Sequence, residues 1–188
     1  MKRRPLMPAK AGNKFPDFKY MDRVAGEFVE IELRTHLLEQ GKKRIALFGL
    51  PGAFTPTCST QQLPKYEEMY DDLTEFVDEV VCTSVNDPFV MNSWLESLDI
   101  KKVMSLPDGN ADFCQAVGMF VNKRNLNFGH RSWRYSMIVN LELKLIEKIW
   151  VEINLRDEAD SDPYEVSDPE TMLDWLKSNP EALVEVEA

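Results

Sequence analysis

The residue of this chain best placed to do chemistry is Cys58, which follows a short loop bracketed by Pro51 and Pro56. Thr55 and Pro56 are residue types expected at the N-cap and the first position of a helix, so Cys58 is predicted to lie in the first helical turn. There, unpaired backbone amides and the positive end of the helix dipole favour a thiolate. Although cysteine is often a buried apolar residue, this setting favours a reactive nucleophile.

Ionisation alone would not make such a cysteine an efficient catalyst. A free thiol with a pKa of about 8.5 is about 3% thiolate at pH 7, so full ionisation raises its rate only about 30-fold, or about 2 kcal/mol. Enzymes typically accelerate reactions by about 10⁶-fold or more, mostly by orienting the reactants and stabilising the charge that develops. Further groups beside Cys58 are therefore required.

Two apolar strands and the helices after them are predicted to position Cys58. Ile45 to Leu50 is an unbroken apolar run, as expected for a parallel strand that is buried on both faces. Val77 to Val85 is a second such strand, and Asn86-Asp87-Pro88 after it indicates a helix start. Pro64 is expected to kink or restart the helix that carries Cys58.

The rest of the pattern completes an α/β chain. It predicts strands at Phe15–Tyr20, Phe28–Leu33, Val103–Leu106, Trp133–Val139 and Leu143–Glu152, and helices at Ala111–Val117 and Ser167–Lys177, the last opened by a capping box of Ser167 and Glu170. Alternating strands and helices, closed by a hairpin and a helix, indicate a thioredoxin-like sheet with an N-terminal β extension and an insertion. A thioredoxin-type dithiol is not expected, because position 61 is Gln61.

Length and composition favour one domain over residues 1–188, with a basic tail at 1–12 and an acidic tail at 178–188. With 188 residues and 44% hydrophobic content, the chain can bury one core. No apolar run approaches the roughly 20 residues of a membrane span, and no secretory signal is expected. Three widely spaced cysteines suggest neither a disulfide framework nor a metal site, so a reducing, cytoplasmic compartment is predicted.

The net charge of −10 comes from the C-terminal part of the chain. The segment from Asp157 to Ala188 contains 11 acidic residues and one basic residue, so it accounts for the whole net charge. A solvated acidic surface is its expected role, which argues against a nucleic-acid partner. His36 has no second His or Cys at metal-ligand spacing, so it is expected to be a surface residue.

The segment PGAFTPTCS, from Pro51 to Ser59, resembles the peroxidatic loop of the peroxiredoxins, specifically the subgroup numbered five. The resemblance runs from Phe15 to Leu176 and includes SVNDPFVMNSW (84–94), LPDGNADF (106–113) and RSWRYSMIV (131–139). The segment DPYEVSDPETML (162–173) is similar to a bacterial branch whose members are sometimes fused to a glutaredoxin domain. The chain departs from the family at Asn140-Leu141-Glu142, where relatives usually have an Asp-Gly turn.

This resemblance implies a thiol-dependent peroxidase of the thioredoxin-like fold. Cys58 would attack hydrogen peroxide or an organic hydroperoxide and become a sulfenic acid. Pro51, Thr55 and Arg134 would be its companions. Pro51 would exclude water, Thr55 would hydrogen-bond Cys58 or the peroxide, and Arg134 would supply a fixed cation to the thiolate and the departing oxygen.

Two residues close to Arg134 in the sequence are alternatives for a role beside Cys58. Arg131 is an alternative to Arg134, but the matching family motif has its arginine directly before the aromatic-Ser-Met sequence, as Arg134 is. His130 is expected to be a loop residue, because a thiolate needs no general base. A third alternative is that Arg134 is a surface residue of its strand.

The sequence leaves two routes from the sulfenic acid back to the thiol. Cys82 lies where some similar peroxiredoxins carry a cysteine, which would allow a two-cysteine cycle recycled by thioredoxin. Cys82 precedes the strand end at Asn86 by four residues, however, which places it about 13 Å below the edge expected for Cys58, whereas a disulfide tolerates a Cα separation of about 7 Å. Cys82 and Cys114 are therefore expected to be structural. A one-cysteine cycle with glutathione and glutaredoxin is predicted.

The resemblance implies neither a metal, haem or flavin cofactor nor a membrane partner. Phe54, Pro56 and Phe89 are expected in loops at the active-site end, and clustered apolar loop residues often mark an interface. The resemblance likewise suggests a non-covalent homodimer that forms there. A peroxide sensor or holdase that uses the same sulfenic acid is the alternative from a different functional class.

Overall fold

The computed structural model describes residues 7–181. Its strands are β1 (Lys19–Val24), β2 (Glu27–Glu32), β3 (Arg44–Gly49), β4 (Glu79–Ser84), β5 (Met104–Pro107), β6 (Phe120–Asn122), β7 (His130–Ser132), β8 (Tyr135–Asn140) and β9 (Leu145–Val151). Its α-helices are α1 (Leu33–Glu39), α2 (Leu63–Glu68), α3 (Tyr70–Leu73), α4 (Pro88–Ser97), α5 (Asp112–Ala116) and α6 (Pro169–Ser178). A π-helical turn spans Cys58–Gln62, and a 3-10 turn spans Arg124–Leu126.

A five-stranded sheet in the order β5-β4-β3-β8-β9 forms the centre of the molecule. β3, β4 and β5 are parallel, whereas β8 is antiparallel to β3 and β9 is antiparallel to β8. β3 is thus the middle strand, and its residues from Ile45 to Gly49 are buried as its unbroken apolar run predicts. At its C-terminal end Gly49 pairs with Tyr135, whose ring occupies the space that a Cβ at Gly49 would need.

The two faces of this sheet carry separate apolar clusters. Ile45 and Leu47 of β3 point into one cluster, which includes the N-terminal aromatic residues and α1. The alternate residues, Ala46 and Phe48, point into the other cluster with Cys58 and side chains of α2, α4 and α6. The loop after β3 therefore leads Cys58 over the second face, where helices cover it.

The helix starts that were predicted to follow the strands are confirmed, except that the N-cap of one helix is a different residue. Asp87 caps α4, since its carboxylate accepts a hydrogen bond from the amide of Val90 at 3.0 Å. Pro64 lies in the first turn of α2, where it restarts the helix. The predicted capping box at Ser167 is wrong, because Asp168 is the N-cap of α6.

Three stretches differ from the sequence prediction. Phe15 and Phe18 are core residues before β1 rather than strand residues, so the first strand begins at Lys19. The helix α1, which was not predicted, carries His36. The short strands β6 and β7, which were not predicted either, pair as a small antiparallel hairpin. In each case long-range packing outweighs local propensity.

The predicted tails lie partly outside the described residues, since 1–6 and 182–188 are not described. Within the described part, Ala9 donates its amide to Val117 at 3.0 Å and Gly12 donates to Ile146 at 2.8 Å, so this stretch runs along the body. The division into one domain with two tails stays a prediction. No helix within residues 7–181 has the length and apolar character needed to cross a membrane.

Candidate active site

The segment that carries Cys58 begins as a helix and then widens. The helix starts at Pro56, and the carbonyl of Thr55 accepts the first helical hydrogen bond, from the amide of Ser59 at 3.0 Å. Cys58 then begins the π-helical turn, in which its carbonyl accepts from the amide of Leu63 five residues later. Cys58 thus lies in the first helical turn, as predicted, and such π-turns are frequent at functional sites.

Thr55 faces the loop rather than the cysteine. Its hydroxyl donates to the carbonyl of Gly52 at 2.7 Å, which closes the turn after β3. Phe54 in this turn has a φ of 60°, a backbone conformation that non-glycine residues seldom adopt. Pro51 is buried at the start of the same turn. The turn is therefore held in one shape by Thr55, with Pro51 on its inner side.

Arg134 reaches Cys58 because of the register between β3 and β8. It directly precedes Tyr135, which pairs with Gly49 at the last position of β3. Arg134 therefore lies at the edge of the sheet from which the chain runs into the Cys58 segment. Its Nη1 atom donates to the sulfur of Cys58 at 3.6 Å. The alternative that Arg134 is a surface residue is wrong, since only 1% of it is exposed.

Two further side chains bind the Arg134 guanidinium. Its Nη1 atom also donates to the side-chain carbonyl of Gln62, and its Nη2 atom donates to both carboxylate oxygens of Asp162 at 2.6 Å. The ring of Tyr164 lies 5.6 Å from the guanidinium carbon. Helical spacing from Cys58 could have indicated Gln62, which lies four residues later. No local pattern indicates Asp162 or Tyr164.

The electrostatics distinguish Arg134 from Arg131. Burial lowers the pKa of Arg134, but the thiolate charge of Cys58 and the carboxylate of Asp162 outweigh burial and leave its pKa raised. The pKa of Arg131 is lowered by burial, which the Cys58 charge offsets only in part. Arg131 donates to the carbonyls of Phe128 at 3.0 Å and Val85 at 3.5 Å. It is thus a neighbour of the site, whereas Arg134 contacts the sulfur.

A buried tryptophan anchors the Cys58 segment to α4. The indole nitrogen of Trp94 donates to the hydroxyl of Ser59 at 3.0 Å. Because Trp94 is fully buried in the same cluster as Cys58, this bond ties the residue after the cysteine to a rigid element. No local pattern indicates this contact, since Ser59 and Trp94 are 35 residues apart.

The remaining cysteines are buried and free. Cys82 lies in β4 opposite Phe48 and packs in the same cluster as Cys58. Burial raises the pKa of the Cys82 thiol, and the charge of Cys58 raises it further. Cys114 donates to the carbonyl of Ala111 at 3.4 Å, and burial raises its pKa as well. Neither thiol is in an environment that favours a thiolate.

Each of the two histidines contacts a residue other than Cys58. His130 stacks on Phe120, with 4.8 Å between the ring centroids, and His36 pairs with Gln40 on α1. In the part of the chain that the structure describes, no group of three or more His, Cys, Asp or Glu side chains is placed to hold a metal ion.

The arrangement suits reactions in which negative charge moves from sulfur to a departing atom. Cys58, Gln62 and Arg134 are all buried, so the charge of the guanidinium is little screened by water. A fixed donor in such a site stabilises both a thiolate and an oxygen that gains charge during the reaction.

Comparisons with known proteins agree with this geometry. A family model described as Redoxin matches residues 10–162. Peroxiredoxin sll1621 of Synechocystis is 51% identical over 138 residues, which cover 73% of this chain and 72% of that protein. Hybrid peroxiredoxin hyPrx5 of Haemophilus influenzae is 40% identical over 171 residues, which cover 90% of this chain and 67% of that protein. The crystal structure of the Plasmodium falciparum antioxidant protein, a 1-Cys peroxiredoxin, has a TM-score of 0.83 at 35% identity and covers 90% of this chain and 99% of that chain.

Proposed function

Because this chain belongs to the Redoxin family and is a peroxiredoxin, a thiol-dependent peroxidase of the thioredoxin-like fold, we propose that Cys58 is its peroxidatic nucleophile and that glutathione, with glutaredoxin, is its reductant. The observation that carries the assignment of Cys58 is the Arg134 contact at 3.6 Å in a buried pocket. Neither Cys82 nor Cys114 has a cation beside it in the described residues.

In the first step, the Cys58 thiolate attacks the terminal oxygen of a hydroperoxide. A sulfur-oxygen bond forms as the oxygen-oxygen bond breaks, so the sulfur loses two electrons and becomes a sulfenic acid. The departing oxygen takes a proton from solvent and leaves as water or an alcohol. Arg134 stabilises the thiolate before the attack and the departing oxygen during it. Pro51 excludes water, and Thr55, whose hydroxyl donates to the Gly52 carbonyl, holds the turn that leads to Cys58.

In the second step, the thiol of glutathione attacks the sulfenic acid. Water leaves and a mixed disulfide between Cys58 and glutathione forms. A glutaredoxin thiol then attacks the glutathione sulfur, which releases Cys58 as the thiol, and a further glutathione regenerates the glutaredoxin. Because Cys58 is fully buried, the π-helical turn must open for glutathione to reach its sulfur.

Three observations support this reductant over an internal cysteine. The similarity to hybrid peroxiredoxin hyPrx5 agrees with the resemblance to the glutaredoxin-fused branch, and the similarity to a 1-Cys peroxiredoxin agrees with a cycle that uses one cysteine. Cys82 is fully buried inside a central strand, and burial raises the pKa of its thiol, so it is poorly suited to attack the sulfenic acid. Three free cysteines support a reducing compartment such as the cytoplasm.

We also propose a homodimer that forms through an exposed aromatic patch, defined here as Phe28, Phe54 and Phe89. Each of these side chains is more than half exposed. The rings of Phe28 and Phe89 contact edge to face at 5.5 Å, and Arg23 lies over both. Phe54 lies in the turn before Cys58, and exposed aromatic residues of this kind are typical of an interface between subunits.

The proposed cycle is tested by following peroxide consumption with glutathione, glutaredoxin and glutathione reductase. We expect steady turnover that is abolished in Cys58→Ser and retained in Cys114→Ser, a matched control at another buried cysteine. Turnover with thioredoxin but not with glutathione would favour the two-cysteine alternative. No turnover with any reductant, despite formation of the sulfenic acid, would favour a sensor or holdase.

A further inference from the structure

The acidic segment of the chain is not only a solvated surface. Its Asp162 reaches into the active site, where both carboxylate oxygens accept from Nη2 of Arg134 at 2.6 Å. Arg134 is 1% exposed, whereas the side chain of Asp162 is 41% exposed, so the carboxylate lies between the guanidinium and solvent. The other end of the same guanidinium contacts Cys58.

Two buried charged residues hold this segment over the site. On one side of Asp162, the ammonium group of Lys123 donates to the carbonyls of Ala159 at 2.7 Å and Ser161 at 3.3 Å. On the other side, one carboxylate oxygen of Glu152 accepts from three successive backbone amides, at 165–167, each at 2.9 Å, and from the hydroxyl of Ser167. The backbone on both sides of Asp162 is therefore anchored, and this anchoring keeps the carboxylate in place beside Arg134.

We propose that Asp162 is a positioning residue for the peroxidase reaction. Its carboxylate holds Nη2 of Arg134, and this contact directs Nη1 toward Cys58. The inference rests on the proposed function, because it assigns Asp162 a role through Arg134. It extends that function to a segment whose composition alone suggests only solubility.

A carboxylate beside Arg134 has two opposite effects, and the geometry decides between them. Its negative charge offsets part of the guanidinium charge, which by itself would weaken the stabilisation of the thiolate. Without Asp162, however, Nη2 would lose its carboxylate acceptor while buried, and Nε of Arg134 already has no partner in the described structure. A buried charged donor without an acceptor is costly, so the guanidinium would turn toward the opening that Asp162 now fills. The loss of position then outweighs the gain in charge.

The test compares Asp162→Ala and Asp162→Asn with Asp160→Asn, a matched control two residues away on the same segment. The rate constant for reduced Cys58 with hydrogen peroxide is measured by stopped-flow tryptophan fluorescence, and thiolate formation is followed against pH by absorbance at 240 nm. We expect a loss of rate of about 10- to 100-fold in Asp162→Ala, with a smaller loss in Asp162→Asn, since a displaced catalytic group can cost about 100-fold. The midpoint of thiolate formation should move to higher pH.

The opposite outcome would overturn the proposal. If Asp162 mainly weakens the Arg134 charge, both variants should react faster, and thiolate formation should move to lower pH. Unchanged rates in both variants would equally overturn it. Asp162→Glu keeps a carboxylate and should recover part of the rate. If Asp162 only supports the structure of its segment, Asp162→Glu should have the same unfolding midpoint as the parental protein, and the rate should not recover.

The same measurements separate this inference from the proposed function. A parental protein whose Cys58 reacts with peroxide no faster than a free thiol would contradict the proposed function itself. A fast parental protein with unaffected Asp162 variants contradicts only the role of Asp162. In an Arg134→Met background, Asp162→Ala should have no further effect on the rate, because its action passes through Arg134.

Discussion

The guanidinium of Arg134 lies 3.6 Å from the sulfur of Cys58, although the two residues are 76 positions apart in the chain. Both are buried, so the contact forms in a medium where charges interact more strongly than in water. The pairing of β3 with β8 brings them together, and the guanidinium is also held by Gln62 at Nη1 and by Asp162 at Nη2. At the centre of the site, the Arg134 cation is thus held by three partners, Cys58, Gln62 and Asp162.

Replacing Arg134 with lysine should lower the rate of peroxide reduction by about 10²- to 10³-fold, as removal of one fixed donor does at oxyanion sites. A lysine keeps the charge but cannot bind Cys58, Gln62 and Asp162 together, because one ammonium group lacks the guanidinium fork. Stopped-flow kinetics with hydrogen peroxide would measure the loss. Arg131→Lys is the matched control and should lose far less, and a near-parental rate in Arg134→Lys would exclude the role of Arg134.

Replacing Cys82 with serine should leave turnover with glutathione and glutaredoxin close to parental, because Cys82 is a buried strand residue whose thiol has a raised pKa. Peroxide treatment of the parental protein alone should give no Cys58–Cys82 disulfide by mass spectrometry. A high yield of that disulfide, together with lost activity in Cys82→Ser, would establish the two-cysteine cycle instead.

A charge placed in the aromatic patch should separate the subunits of the proposed dimer. Phe89→Asp is expected to halve the mass measured by light scattering at micromolar concentration, because a carboxylate would have to be buried against the partner. Leu143→Asp, at an exposed position in the β8–β9 connection, should keep the parental mass. A monomeric parental protein at that concentration would contradict the dimer.

Loss of the Glu152 side chain should destabilise the fold. Glu152 is only 2% exposed, and Glu152→Ala removes the acceptor of three backbone amides and a hydroxyl. We therefore expect the free energy of unfolding to fall by about 2–4 kcal/mol. Glu152→Gln retains a carbonyl oxygen and should lose less. Urea unfolding would measure both, and equal losses in the two variants would show that the hydrogen bonds contribute little.

The stability of the protein should depend on pH through Asp108. Burial raises its pKa to about 6, although its carboxylate accepts from the amides of Phe113 at 3.0 Å and Cys114 at 2.9 Å. Since the folded state holds this proton more tightly than the unfolded chain does, the resulting stabilisation is complete below about pH 4 and is lost as the pH rises through about 6.

Asp108→Asn, which cannot ionise, is the comparison for this effect. From pH 4 to pH 7 the free energy of unfolding of the parental protein should fall relative to that of Asp108→Asn, by up to about 3 kcal/mol. Urea titrations of the two proteins at several pH values would measure this change. A constant difference between them across the range would show that the pKa of Asp108 is not raised.

The local patterns of the sequence were sufficient for the elements that present Cys58. An apolar run bounded by Pro51 and Gly52 predicts the buried strand β3, and Thr55 with Pro56 predicts the helix start that follows. The resemblance of the segment around Cys58 predicts the chemistry of the thiol, and that of the segment around Arg134 predicts which arginine serves it. These features depend on neighbouring residues, so they can be read from a few positions of the sequence.

The tertiary structure decided what surrounds the guanidinium. Arg134 is contacted by Gln62 of the π-helical turn and by Asp162 and Tyr164 of an irregular segment. The buried side chains of Lys123 and Glu152 hold that irregular segment in place. Irregular backbone has no period that predicts where a side chain points, and its path depends on hydrogen bonds to residues far along the chain. An acidic residue in such a segment therefore resembles any other in the sequence, and only its anchored position beside Arg134 distinguishes Asp162 from the solvated carboxylates around it.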